Sequence, residues 1–155
     1  MGVKASAVKR GFDVDSAVTL RDITDGAETS TALETPISLG LLDHAYWHNN
    51  EVPWGVLVVV VHVTACDDAD GTETYSLTLE VDDAAALNDT PTVVATLAIP
   101  RGTTGVFEMY VDSRTIEGLV SDNSGTDLWI GIRATLGGDS PSITYGAWIA
   151  KSYVS

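Results

Sequence analysis

The chain has 155 residues, enough for one domain with its own core and short for two. Its 22 acidic and 8 basic residues give a net charge of −14, which disfavours nucleic-acid binding, because that affinity comes from neutralising phosphates with Lys and Arg. The single cysteine, Cys66, excludes an intramolecular disulfide, and a hydrophobic fraction of 45% is that of a globular chain.

Residues 1–10 carry Lys4, Lys9 and Arg10 and no acid, so the acidic charge lies entirely beyond them. There is no apolar core of a secretory signal here, and no signal peptide is expected. Met1-Gly2-Val3-Lys4-Ala5-Ser6 fits the short N-myristoylation pattern, which is common enough to arise by chance. Residues 1–35 are rich in Ala, Thr, Ser, Asp and Gly, with apolar pieces no longer than Ala17-Val18-Thr19-Leu20. Neither a helical nor a strand period persists there, so residues 1–32 read as an extended N-terminal arm that orders on docking. Residues 33–155 read as one domain.

Pro36–Leu41 reads as a short strand, and Asp43–Val52 as a loop holding His44, Tyr46, Trp47 and His48. After Pro53-Trp54-Gly55 comes Val56–Ala65, rich in β-branched valine and apolar on both faces, which predicts a strand at the centre of a sandwich. Its apolar run is too short to span a bilayer, and no membrane partner is expected. Asp67–Gly71 predicts a hairpin turn through its Asp-Gly pair. Tyr75, Leu77, Leu79 and Val81 then alternate with polar residues, the period of a strand with one buried face. Asp82–Asp89 interrupts, with Ala84-Ala85-Ala86 long enough for one helical turn.

Three strands follow: Thr92–Ile99, ended by Pro100; Gly105–Val111; and Asp127–Leu136, with Leu128, Ile130, Ile132, Ala134 and Leu136 on one face. After the turn Gly137–Pro141, Ser142–Tyr153 places Ile143, Tyr145, Ala147 and Ile149 on one face. Seven or eight strands without an amphipathic helix of three turns predict an all-β fold, an antiparallel sandwich.

The chemistry-bearing residues do not assemble into a catalytic or metal motif. Asp67, Asp68, Asp70 and Glu73 suggest a calcium loop, but setting Gly71 at the sixth position puts Cys66 at the first and Leu77 at the twelfth, where the EF-hand needs carboxylates. An acidic turn is the better reading. His44 and His48 are four apart but nothing marks their segment as a helix, and no third ligand stands at metalloprotease spacing. Cys66 lies among acids that raise a thiol pKa, and reads as structural. No nucleophile elbow or Gly-rich phosphate loop is present, so no enzyme, cofactor or metal is expected. Trp47, Trp54, Trp129 and Trp148 could stack on sugar rings. Trp129 and Trp148 fall opposite the isoleucine faces of their strands and are expected to point outward, as interface aromatics do. Trp47 is counted with them, and Lys4, Lys9 and Arg10 are assigned to docking of the arm.

From about Leu33 to Ala150 the order of features resembles the jelly-roll capsid cement, or decoration, proteins of tailed bacteriophages. The resemblance is carried by Pro36-Ile37-Ser38-Leu39-Gly40, the valine strand, Asp70–Asp83, Thr96–Pro100, Leu128–Ile132 and Leu136–Thr144, of which Asp70–Asp83 is the most specific. It implies a jelly-roll-like β-sandwich, a homotrimer, that binds the major capsid protein on the outer capsid surface of the virion and clamps neighbouring capsomers, having been made in the host cytoplasm. The length of the arm and of Asp112–Gly125 departs from the usual pattern. A carbohydrate- or receptor-binding β-sandwich is the alternative function.

Overall fold

The computed structural model describes residues 19–38, 56–112, 115 and 128–150. Among them run nine strands: β1 (Thr19–Arg21), β2 (Ala32–Leu33), β3 (Ile37–Ser38), β4 (Val56–Cys66), β5 (Thr74–Asp82), β6 (Thr92–Ile99), β7 (Gly105–Asp112), β8 (Trp129–Gly137) and β9 (Ile143–Ala150). One sheet has the order β1-β9-β4-β7, the other β2-β8-β5-β6, with β3 also paired to β8. Every pairing is antiparallel.

Apart from the short pair β2 and β3 and the hairpin β5–β6, successive strands pass from one sheet to the other. This is the nested order of a jelly-roll-like sandwich, the fold class expected from the sequence. The Asp67–Gly71 hairpin is not what forms. β4 pairs with β7 and β9, and β5 with β6 and β8, so this turn carries the chain between sheets. Gly71 still uses a left-handed conformation, with φ of 70°. The Asp-Gly signal therefore reported a tight turn correctly but not the sheet the chain would enter.

The core follows from the alternation of each long strand. Leu57, Val59, Val61 and Val63 of β4 face Tyr75, Leu77, Leu79 and Val81 of β5, with Ile130, Ile132 and Ala134 of β8 and Ile143, Tyr145, Ala147 and Ile149 of β9 completing the layer. All are buried, and each large aliphatic contributes roughly 1.5–3 kcal/mol by leaving water. β4 lies in the interior of its sheet, as its apolar character on both faces requires. The segment 82–89 closes one turn, Leu87 N–H donating to Ala84 O at 3.0 Å, and buries Leu87.

The start of the sandwich is the main correction. Within the expected arm 1–32, residues 1–18 lie outside the described residues, but Thr19–Arg21 pairs with β9 and Ala32–Leu33 with β8. Glu28 exchanges both backbone hydrogen bonds with Ile143, at 2.8 and 3.0 Å. Residues 19–33 thus supply one strand to each sheet. No helix among the described residues is long and apolar enough to cross a membrane.

Candidate functional site

The two long sides of the sandwich are finished differently, and this contrast defines the candidate site. On the β1/β2 side the gap between the sheets is sealed by Arg21, whose side chain is 1% exposed. Its Nε donates to Glu34 Oε1 at 2.8 Å, one terminal nitrogen donates to Tyr145 O at 2.6 Å, and the other to Gly26 O at 2.7 Å and Glu28 Oε1 at 2.9 Å. The guanidinium also covers the ring of Tyr145. Burial opposes the charge of Arg21, yet Glu28 and Glu34 outweigh it and hold its pKa above the ordinary value. Burial also pushes the Glu34 carboxyl and the Tyr145 hydroxyl upward. Every donor on the guanidinium that these bonds use is spent on the chain's own backbone and acids, so the arrangement locks structure rather than waiting for a substrate.

The β6/β7 side has no such seal among the described residues. β6 and β7 are the last strands of their sheets, and neither has a second strand partner among the described residues. Val94, Ala95 and Leu97 of β6 and Phe107 of β7 pack on the core but stay partly exposed. Val93, Val106 and Tyr110 are 52%, 50% and 60% exposed. From Thr90 to Pro100 there is no charged residue, in a chain of net charge −14. Edge strands are ordinarily protected by charge, proline or a covering element. The single irregularity of β6 is the shift in register opposite Leu79 and Glu80.

A cavity of about 190 Å³ opens beside the outer end of β5, lined by Val81, Asp82, Asp83, Asp89, Thr90, Thr92 and Leu128. Asp89 N–H donates to Asp82 Oδ2 at 3.0 Å. A hydrogen bond with Asp82, then burial and the charges of Asp82 and Asp89, raise the Asp83 carboxyl above its ordinary value. The lining holds neither histidine nor a nucleophilic cysteine. Among the described residues no group of three or more His, Cys, Asp or Glu is arranged to hold a metal ion.

Two acids of Asp67–Glu73, Asp68 and Glu73, have their side chains engaged within the turn and by its neighbours. Asp70 N–H donates to Glu73 Oε1 at 2.8 Å, and backbone N–H groups, led by that of Glu73, hold the Glu73 carboxyl below its ordinary value. Arg101 pairs with Asp68 at 2.8 Å and also bonds Gly71 O. Tyr75 fastens the base, its hydroxyl donating to Asp67 O at 3.1 Å and accepting from Ser142 N–H at 3.2 Å. Burial, then Asp67 and Asp68, push the Cys66 thiol up against the opposing N–H groups of Gly102 and Thr103. That is the environment of a structural thiol rather than a nucleophile.

The expected interface residues divide. Lys4, Lys9, Arg10 and Trp47 lie outside the described residues, as do His44, His48 and Trp54. Trp129 stands on the outer face of its sheet, half-buried, opposite Asp82 on β5 and Ser38 on β3. Trp148 also lies on the face away from the core, opposite Val60 and Thr19, but is 4% exposed. Its expected outward exposure is therefore corrected: Trp148 sits within its sheet between β1 and β4, beside a Val60 that is buried as well. Sequence reasoning missed Arg21 and the β6/β7 side. The uncharged run Thr90–Pro100 was the available signal for the latter; nothing local marked Arg21. No protein family matches this chain, and no curated protein sequence matches it.

Proposed function

We propose that this chain is a structural virion protein that binds the outer surface of a tailed-phage capsid, bridges neighbouring capsomers and acts as a homotrimer. The observation that carries this reading is the fate of the polar groups. Asp68 and Glu73 of the Asp67–Glu73 turn, and the Arg21 cluster, are engaged in holding the fold, whereas apolar side chains on β6 and β7 stay exposed. That distribution suits a protein that works by surface contact. The resemblance of Asp70–Asp83 to capsid cement proteins supports the same reading; Thr74–Asp82 of that stretch forms β5. Many weak contacts repeated over a shell give high total avidity without one tight site. The test is decoration of purified undecorated capsids by the full chain and by a form lacking residues 1–18. Residues 19–33 must be kept because they include the strands β1 and β2. Binding of the full chain, weakened in the shortened form, is the expected result; no binding by the full chain overturns the capsid role.

A second reading, a carbohydrate- or receptor-binding module, is favoured by one juxtaposition. Trp129 lies opposite Asp82, itself one of the residues lining the acidic cavity, as an aromatic platform beside hydroxyl acceptors would. Glycan binding abolished by Trp129→Ala and by Asp83→Asn would favour it over the capsid role.

A further inference from the structure

We propose that a second copy of this chain docks on the β6/β7 side, with the free edge of β6 (Thr92–Ile99) as the centre of the contact. This deepens the homotrimer part of the proposed function but does not depend on a capsid. Three observations converge on it. β6 offers eight residues of backbone with one edge paired to β5 and the other without a strand partner among the described residues. The core behind it is incompletely covered, at Val94, Ala95, Leu97 and Phe107, whereas the opposite side is closed by Arg21 and the strands β1 and β2. Leucines and valines left partly wet at a strand edge gain free energy when a second surface excludes that water.

Charge selects the occupant. Two copies at −14 each repel wherever their acidic ends meet, at Asp67–Glu73 or at Asp82, Asp83 and Asp89. The run Thr90–Pro100 is free of charge, so it is where like-charged copies approach at least electrostatic cost. A basic protein partner would instead be drawn to the acidic ends. The arrangement of the contact sets the number of copies. A self-complementary β6–β6 contact closes at two, and a head-to-tail contact makes a ring where its rotation closes.

The experiment is the solution mass of the full chain by light scattering, for the wild type and for the Val93→Lys, Thr96→Lys double variant. Both positions are exposed, so the fold should survive; circular dichroism and thermal unfolding check this. The wild type should assemble, and the added cations, stripped of water at an uncharged edge, should weaken assembly on the order of a hundredfold. A monomeric wild type at 100 µM, used here as roughly the upper limit for a specific contact, overturns the proposal. So does a folded variant with wild-type mass, which would place the interface elsewhere while leaving the homotrimer standing. A dimer that the variant dissolves upholds the β6 contact and overturns the homotrimer. Should the variant misfold, amide exchange of the wild type decides. Protection along β6 that rises with protein concentration, with β4 unchanged, supports the contact, and concentration-independent exchange rejects it.

Discussion

The guanidinium carbon of Arg21 lies 4.6 Å from the centroid of the Tyr145 ring, and the same side chain donates to the Tyr145 carbonyl. One residue of β1 is thereby bound to both the face and the backbone of a core tyrosine, while Glu34 ties it to the chain entering the other sheet. Arg21→Ala should cost about 3 kcal/mol, the lower end for breaking a buried ion pair, because Glu28 and Glu34 keep some contact with water. Arg21→Lys should recover little, since an ammonium cannot reach partners on several sides at once. Chemical denaturation of the two variants measures both; a loss below about 1 kcal/mol for the alanine variant, the level of a surface ion pair, would contradict the assignment.

The same cluster sets a pH dependence whose sign is fixed by Glu34. Burial raises its folded-state pKa above the unfolded value, so between those values the folded chain holds a proton that the unfolded chain has lost. Its contribution is fully present on the acid side and declines as pH rises through the raised value. Glu34→Gln removes that titration and keeps an acceptor for Arg21 Nε. The variant should therefore gain stability relative to wild type as pH increases from about 4 to 7, taking the ordinary carboxylate range as the lower bound. Asp22 acts in the opposite sense, being held down by the Thr24 backbone N–H and then its hydroxyl. Its contribution is present above the ordinary value and is lost as pH falls. Denaturation midpoints across this range test the difference between variant and wild type, and a pH-independent difference would refute it.

Gly138 and Gly146 mark two close approaches of unequal severity. A Cβ on Gly138 would meet Thr72 O at 2.3 Å, in a backbone at φ of 87°. A Cβ on Gly146 would meet Ile23 Cβ at 2.7 Å, where the segment after β1 crosses β9. Gly138→Ala should be the more damaging, with about 1–3 kcal/mol from the left-handed backbone alone before any steric term. Gly146→Ala should chiefly loosen residues 21–25, seen as faster amide exchange there with the β4 amides unchanged.

Cys66 should react sluggishly. Its raised pKa leaves little thiolate at neutral pH, so alkylation should be several-fold slower than that of the same chain unfolded in denaturant. Equal rates would show that the thiol is neither buried nor shielded by Asp67 and Asp68. Cys66→Ser should leave the fold and any capsid binding intact.

The long strands were legible because their information is local. Alternation in Tyr75–Val81, Leu128–Leu136 and Ile143–Ile149 identifies the core face without knowledge of any partner. The short strands were not, because two or three residues carry no period. Thr19–Arg21 is a strand through its pairing with Trp148 and Ala147 of β9, and Arg21's bond to Tyr145 spans a separation of 124 residues. The turn at Asp70-Gly71 was visible as a turn, but local backbone chemistry does not encode which sheet receives the next strand. Trp148 shows a related gap. Its face follows from Ile149, whereas its burial depends on the neighbouring strands on either side. The carboxylates at 82, 83 and 89 come together only after β5 and the following loop fold back on one another.

That separation also has a kinetic side. β1 pairs with β9, and the seal over Tyr145 joins residues 124 positions apart in the sequence. A nascent chain cannot make this closure until β9 has emerged from the ribosome, so the segment around Arg21 must wait, unpaired, through the synthesis of every strand between. Closing so large a loop is entropically slow, and topologies dominated by such distant pairings fold on the millisecond-to-second scale. Folding is thus expected to begin among β4, β5, β8 and β9 and to finish at β1. During that interval both sides of the sandwich are open, and the uncharged edge of β6 is not yet distinguished from the edge that Arg21 will close.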